Sequence, residues 1–256
     1  MSKMKIALIQ SHLLWENPEA NRKMFDEKIH QISDDVDLIV LPEMFTTGFT
    51  MSPDKIEVSE GEKTVQWMKE WASQKNAALC GSLIFKEKDS YSNRLFFVLP
   101  EGQFFPYDKK HTFTLAGEDK VYKAGESKQI IDYQGFKICP LICYDLRFPV
   151  WARNVEDYDV LIYVANWPKP RINAWDALLK ARAIENMAYC IGVNRIGLDG
   201  LGHEYTGHSA VYDVLGNPLV FSEKEEISYA ALSKEHIDEN RNKLRFLEDR
   251  DGFNLK

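Results

Sequence analysis

The apolar run Ile138-Cys139-Pro140-Leu141-Ile142 ends on a thiol, Cys143, and the polar turn Tyr144-Asp145-Leu146-Arg147 follows at once. Such a run reads as a buried strand that delivers its last residue to the rim of a sheet. The bland alternative is a structural cysteine, since Cys is among the most often buried residue types. Two further segments share the pattern. Asp37-Leu38-Ile39-Val40-Leu41-Pro42 stops at Glu43, where Pro42 lacks an N–H and discourages continued pairing. In Phe105-Pro106-Tyr107-Asp108-Lys109-Lys110-His111, period-two alternation sets Tyr107, Lys109 and His111 on one face and Asp108 and Lys110 on the other. Taken singly, Glu43 and Lys109 are ordinary solvated strand ends.

Strand-like and helix-like segments alternate through the first part of the chain, and strands dominate later. Lys5 to Gln10 reads as a strand. Asn17-Pro18 opens a helix as cap and first-turn proline, with Met24, Phe25, Ile29 and Ile32 as its apolar stripe. A buried strand over Leu38 to Leu41 and a helix over Gly61 to Lys75 follow, the helix turning Val65, Met68, Trp71 and Ala72 to one side. Ala77 to Phe85 and Arg94 to Leu99 are expected strands, and Gln129 to Asp132 pairs with Phe136 to Cys143 across Tyr133-Gln134-Gly135. Val160 to Val164 is a further buried strand, and Ile172 to Met187 a helix rich in good helix formers. Strands over Tyr189 to Asn194, Ser209 to Val214, Leu219 to Phe221 and Ile227 to Leu232 precede a last helix beginning at Ser233, and a polar tail runs from Asn240. The glycine-rich Gly197 to Gly207 segment lacks a phosphate-binding pattern; it is a pocket rim or, more simply, a connecting loop.

The 256 residues, 45% apolar, allow a large core, and no linker-like stretch divides residues 1–256, so one domain with a tail over about 240–256 is expected. A formal net charge of −7 without a basic stripe argues against nucleic acid as a partner. No apolar run reaches membrane-span length, and Ile6 to Ile9 is too short for a signal-peptide core. The four cysteines, Cys80, Cys139, Cys143 and Cys190, suit neither a disulfide framework nor paired zinc ligands, which points to a reducing, cytoplasmic compartment.

Taken together, Leu41-Pro42-Glu43, Tyr107-x-Lys109-x-His111 and Cys143-Tyr144-Asp145-x-Arg147-Phe148-Pro149 resemble, in order and wide spacing, the Glu-Lys-Cys signature of the nitrilase superfamily of carbon–nitrogen hydrolases. Asn166-Trp167-Pro168 and Ala181 to Asn186 are similar to further family segments. Glu43 to Phe49 and Arg147 to Trp151 look most like the omega-amidase branch; Thr112 departs mildly, standing where many members have Leu. The resemblance implies an α/β fold, the four-layer α-β-β-α sandwich, assembled as a homodimer or higher homo-oligomer. It implies no metal and no organic cofactor, and a small amide substrate carrying a distal carboxylate, such as 2-oxoglutaramate or 2-oxosuccinamate.

The same resemblance distributes roles. Cys143 would be the nucleophile that forms a thioester. Glu43, expected in a confined pocket, would move the protons, and Lys109 with the backbone N–H of Tyr144 would stabilise the oxyanion. Glu118 is either a support for Lys109 or a solvated loop residue. Arg147 is either a bidentate clamp on the substrate carboxylate or a structural partner of Asp145. Tyr144, Phe148, Asn166 and Trp167 are candidate pocket walls, although Trp167 would serve equally as core. His111 is expected to be a structural hydrogen-bonding group rather than half of a Cys–His pair. Competing functions are an N-carbamoyl-amino-acid hydrolase or nitrilase on the same triad, a catalytically silent interaction protein, and a thiol redox protein using Cys139 and Cys143. The last is disfavoured because residues four apart on an extended strand are too distant for an easy disulfide.

Overall fold

A computed structural model describes residues 2–254. Its first strands are β1 (Lys3–Gln10), β2 (Leu38–Val40), β3 (Ala78–Glu87), β4 (Ser90–Val98) and β5 (Phe104–Asp108), with helices α1 (Pro18–His30) and α2 (Ser59–Lys75) between them. A second set follows: β6 (Ile131–Tyr133), β7 (Phe136–Ile142), β8 (Val160–Val164) and β9 (Tyr189–Val193), with α3 (Pro149–Ala152) and α4 (Ile172–Asn186) interposed. A small ribbon of β10 (Ile196–Leu198) and β11 (Glu204–Thr206) precedes β12 (Ser209–Tyr212) and β13 (Pro218–Ser222). The last elements are β14 (Glu226–Ser233) and α5 (Lys234–Leu244).

Two mixed six-stranded sheets result, in the orders β14-β1-β2-β3-β4-β5 and β13-β12-β9-β8-β7-β6. In each, three central strands run parallel, β1-β2-β3 in one and β7-β8-β9 in the other, and antiparallel strands flank them. Strand alternation divides the apolar residues between two interfaces. On β1, Ile6 and Leu8 join Ile138, Ile162 and Ile191 in the core between the sheets, while Ala7 and Ile9 face Phe25, Ile29, Met68 and Trp71 of α1 and α2. On the far side α4 lays Trp175 and Leu179 over β9. A Cβ at Gly192 would stand 2.4 Å from Leu179 and 2.7 Å from Trp175, so glycine is what lets the helix dock that closely. The layers are therefore helix, sheet, sheet, helix, the expected sandwich.

Local sequence explains most boundaries. Asn17 caps α1 by accepting from the Ala20 N–H at 3.1 Å, with Pro18 in the first turn. Gln134 and Gly135, with φ of 51° and 79°, make the two-residue turn between β6 and β7. α2 begins at Ser59, before Gly61, because Arg22 of α1 reaches Glu60 at 2.7 Å and Thr64 at 3.0 Å and ties that first turn down. β4 starts at Ser90 rather than Arg94, as its polar first half pairs with β3 through Glu87. Gly197 to Gly207 is not a plain connection: it folds as the β10–β11 hairpin. α5 runs to Leu244 and takes in the start of the polar tail. Among the described residues no helix is long and apolar enough to cross a membrane.

Candidate active site

Glu43 is delivered by the segment leaving β2, which three contacts pin to β3: Leu41 N–H to Cys80 O (2.7 Å), Met44 N–H to Ser82 Oγ (2.9 Å) and Phe45 N–H to Ser82 O (3.1 Å). Lys109 extends the β4–β5 pairing by one residue, its N–H donating to Asn93 O at 3.0 Å. Burial confirms the alternation there, with Tyr107 and Lys109 each 1% exposed and Asp108 and Lys110 only half-buried. Cys143 follows the end of β7 and opens a 3-10 turn over Cys143–Arg147. Its φ of +43° is a left-handed conformation that a non-glycine residue holds only when its surroundings impose it, and such strain concentrates at functional sites.

These segments converge on one buried ionic cluster. Lys109 Nζ lies 2.9 Å from Glu43 Oε1 and 3.0 and 2.9 Å from the two Glu118 oxygens. Asn93 Nδ2 donates to Glu43 Oε1 at 2.8 Å and to Glu118 Oε1 at 3.3 Å. The Asn166 N–H donates to Glu43 Oε2 at 2.8 Å, and its side chain holds the Glu43 carbonyl at 2.6 Å. Phe113 N–H donates to Glu118 Oε2 at 2.5 Å. Both carboxylates are fully buried, so the solvated-loop alternative for Glu118 fails.

The electrostatics follow from two acids around one ammonium in a dry setting. Burial opposes the charge on Lys109, but Glu118 and Glu43 outweigh it and hold the ammonium above its ordinary pKa. Burial, reinforced by the Glu43 charge, pushes the Glu118 carboxyl up. Burial likewise drives the Cys143 thiol well above the usual range, Glu43 adding to it and Lys109 only partly opposing it. Cys143 therefore rests as a thiol, and its proton needs an acceptor before the sulfur can attack anything.

Behind Cys143, the fully buried Asp145 ties the two halves of the site together. Its oxygens accept from Tyr107 OH (2.7 Å), the Ile142 N–H (3.1 Å) and the His111 N–H (2.9 Å), and His111 Nδ1 lies 2.8 Å away. His111 therefore acts as a structural group, stacked on Phe148 with ring centres 3.7 Å apart. Asp145 is engaged elsewhere, so the Asp145–Arg147 ion pair does not form. Arg147 instead lies over the Trp167 ring at 4.9 Å, with no carboxylate partner among the described residues.

A cavity of about 310 Å³ opens over this cluster. Lys109, Cys143, Tyr144, Arg147, Asn166 and Trp167 line it; Phe148 stands back from the wall against His111 and Tyr144. Glu43 and Glu118 sit beneath the floor, out of the lining but in contact with Lys109. Trp167 is both wall and core, 3% exposed. Sequence reasoning missed Asn93, Phe49, Phe113, Arg171 and Tyr205, and treated as a connection the β10–β11 hairpin that contributes Asp199, Leu201, His203 and Tyr205 to the rim. The Trp167-Pro168-Lys169-Pro170-Arg171 run, a stiff turn that follows a buried strand and ends in a cation, was the one signal for Arg171.

Known proteins resemble this chain along nearly its whole length. A family model described as carbon-nitrogen hydrolase matches residues 5–242. Omega-amidase YafV of Yersinia enterocolitica is 42% identical over 257 aligned residues, covering 100% of both chains. The 2-oxoglutaramate amidase of Bacillus subtilis is 32% identical, covering 88% of each. Among solved structures, the CN-hydrolase superfamily protein XC1258 of Xanthomonas campestris, which carries an arsenic adduct in its active site, is similar with a TM-score of 0.97, 38% identity and full coverage of both chains.

Proposed function

The chain belongs to the carbon–nitrogen hydrolase family, and from that premise we propose that it is an omega-amidase that hydrolyses the terminal amide of small dicarboxylic acid monoamides. The relatives named for 2-oxoglutaramate support that compound as substrate, with 2-oxosuccinamate as its shorter homologue. One observation carries the reading: a strained cysteine and the lysine of a buried Glu–Lys–Glu cluster share a cavity with a guanidinium that has no carboxylate partner among the described residues.

In the proposed mechanism Arg147 takes the substrate carboxylate and the amide carbon rests over Cys143. Glu43 accepts the thiol proton as Sγ attacks, and the carbonyl electron pair moves onto oxygen. The Lys109 ammonium and the Tyr144 N–H stabilise that oxyanion. Collapse breaks the C–N bond, the proton on Glu43 passes to nitrogen, and ammonia leaves a thioester. Glu43 then takes a proton from water, hydroxide attacks the thioester, the C–S bond breaks, and the proton returns to the thiolate. Glu118 orients Lys109 and keeps it charged. The homodimer expected for this sandwich belongs to the same proposal, and light scattering tests it.

Ammonia release from 2-oxoglutaramate, 2-oxosuccinamate, N-carbamoyl amino acids and simple nitriles tests the substrate. The two monoamides should be turned over with the highest kcat/KM. Preference for a carbamoyl compound or a nitrile would overturn the omega-amidase assignment and leave the family intact.

A further inference from the structure

We propose that Arg171 is a second specificity residue, forming with Arg147 a two-guanidinium clamp on one substrate carboxylate; this rests on the acid-monoamide reading above. Both arginines line the same cavity. Each lies over an aromatic ring, Arg147 over Trp167 at 4.9 Å and Arg171 over Phe113 at 5.0 Å. A guanidinium over an aromatic face is held there by cation–π attraction while N–H groups that bond nothing else stay available for an oxyanion. Neither side chain has a carboxylate or hydrogen-bond partner among the described residues.

The acids that could neutralise Arg171 are already engaged. Glu204 pairs with Lys169 at 2.8 Å. Asp199 accepts from the N–H groups of Leu201 and His203, both at 2.9 Å, and from Tyr205 OH at 3.0 Å, with His203 Nδ1 at 3.1 Å. The two arginines are also joined mechanically. Trp167, the platform under Arg147, donates its indole N–H to the Arg171 carbonyl at 2.8 Å. A short 3-10 turn over Lys169–Arg171 holds that spacing.

Charge distribution gives the pair a further task. At the inner end Glu43 and Glu118 flank the single Lys109, so its charge is already compensated and it offers a substrate carboxylate no free cation. At the guanidinium end that carboxylate meets two cations, neither in an ion pair among the described residues, against one lining carboxylate, Asp199. The cavity is therefore polarised, and an acid monoamide enters with its amide toward Cys143. A lone arginine would bind the acid; two stacked on separate walls also fix the direction in which it points.

The test compares wild type, Arg171→Gln, Arg171→Lys, Arg147→Gln and the double Gln variant on 2-oxoglutaramate and on neutral pentanamide of equal carbon count. Arg171→Gln should lose about ten- to a hundredfold in kcat/KM on 2-oxoglutaramate, mostly through KM, with little change on pentanamide. The loss should shrink in the Arg147→Gln background, because the contacts share one ligand. Arg171→Lys should recover only part, having charge without a planar fork. Equal losses on both amides, no loss on the charged one, or strictly additive losses would overturn the clamp. Should Arg171→Gln fold poorly by thermal melting, Arg171→Lys carries the same charged-against-neutral comparison. Wild type that uses pentanamide as well as 2-oxoglutaramate would overturn the acid-monoamide reading itself, a result visible before any variant is made.

Discussion

Lys109 and Glu43 meet at 2.9 Å in a site where the lysine is 1% and the glutamate 0% exposed. Glu118 completes the cluster from the other side at 2.9 Å. Removing the ammonium leaves two buried carboxylates facing each other, a situation that typically costs about 3–5 kcal/mol when one partner of a buried pair is deleted. Lys109→Ala should therefore lose at least about a hundredfold in kcat, the cost of an oxyanion donor, and should also unfold at lower denaturant. Lys110, whose ammonium lies over the Trp151 ring at 5.5 Å, should tolerate Ala with a mild effect on rate. Reversed effects would place the wrong lysine in the site.

Cys143→Ala should abolish ammonia release while leaving the unfolding transition near that of wild type. Cys139, a fully buried core residue, should accept Ala with most of the activity kept. Full turnover by purified Cys143→Ala would falsify the covalent route.

Arg147→Gln tests the clamp from its other side. Charge-assisted bonds contribute about 1.5–3 kcal/mol, so kcat/KM on a carboxylate-bearing monoamide should fall roughly ten- to a hundredfold. A neutral amide of the same length should suffer much less. Equal losses in steady-state rates would make Arg147 a structural residue.

Asp145→Asn is expected to weaken the whole nucleophile turn. Three donors, Tyr107 OH and the N–H groups of His111 and Ile142, converge on its two oxygens beside His111 Nδ1, and an amide nitrogen in place of one oxygen turns a donor toward a donor. A stability loss of about 1–3 kcal/mol should accompany a lower kcat. Urea denaturation and steady-state assays read the two effects; a fully stable, fully active variant would remove Asp145 from the positioning role.

Alkaline pH should destabilise the protein through its buried thiols. Burial pushes Cys139 up to about 12, above the ordinary thiol value of about 8.5. The folded state therefore keeps a proton that the unfolded state releases. Stability is fully present below about pH 8.5 and declines as pH rises toward 12, by about 1.4 kcal/mol per pH unit for this group. Chemical denaturation from pH 8 to 10 should show a shallower decline in Cys139→Ala than in wild type. Parallel slopes would mean that Cys139 does not titrate differently in the two states.

The sequence alone determined the elements that local chemistry dictates. Asn17-Pro18 starts a helix and Gln134-Gly135 makes a hairpin turn because caps and positive-φ turns need only a few adjacent residues. Apolar periodicity and strand alternation assigned faces to α1, α2 and the Lys109 strand for the same reason. Glu43 and Lys109 read singly as solvated strand ends; only the order and spacing they share with Cys143, which resemble the Glu-Lys-Cys signature, singled them out. Tertiary structure alone decided who partners whom. Asn93 carries no local signal, yet it bridges Glu43 and Glu118 because β4 pairs with both β3 and β5. Arg147 adjoins Asp145 within one turn but stacks on Trp167, since Asp145 is already held by Tyr107 and His111 from the other sheet. The Gly197 to Gly207 segment became a cavity rim through pairing that glycines permit and do not specify. Hydrogen bonds and ion pairs across tens of residues depend on which strands become neighbours. That choice is made by packing two sheets and their helices together, and it leaves no mark at any single position in the chain.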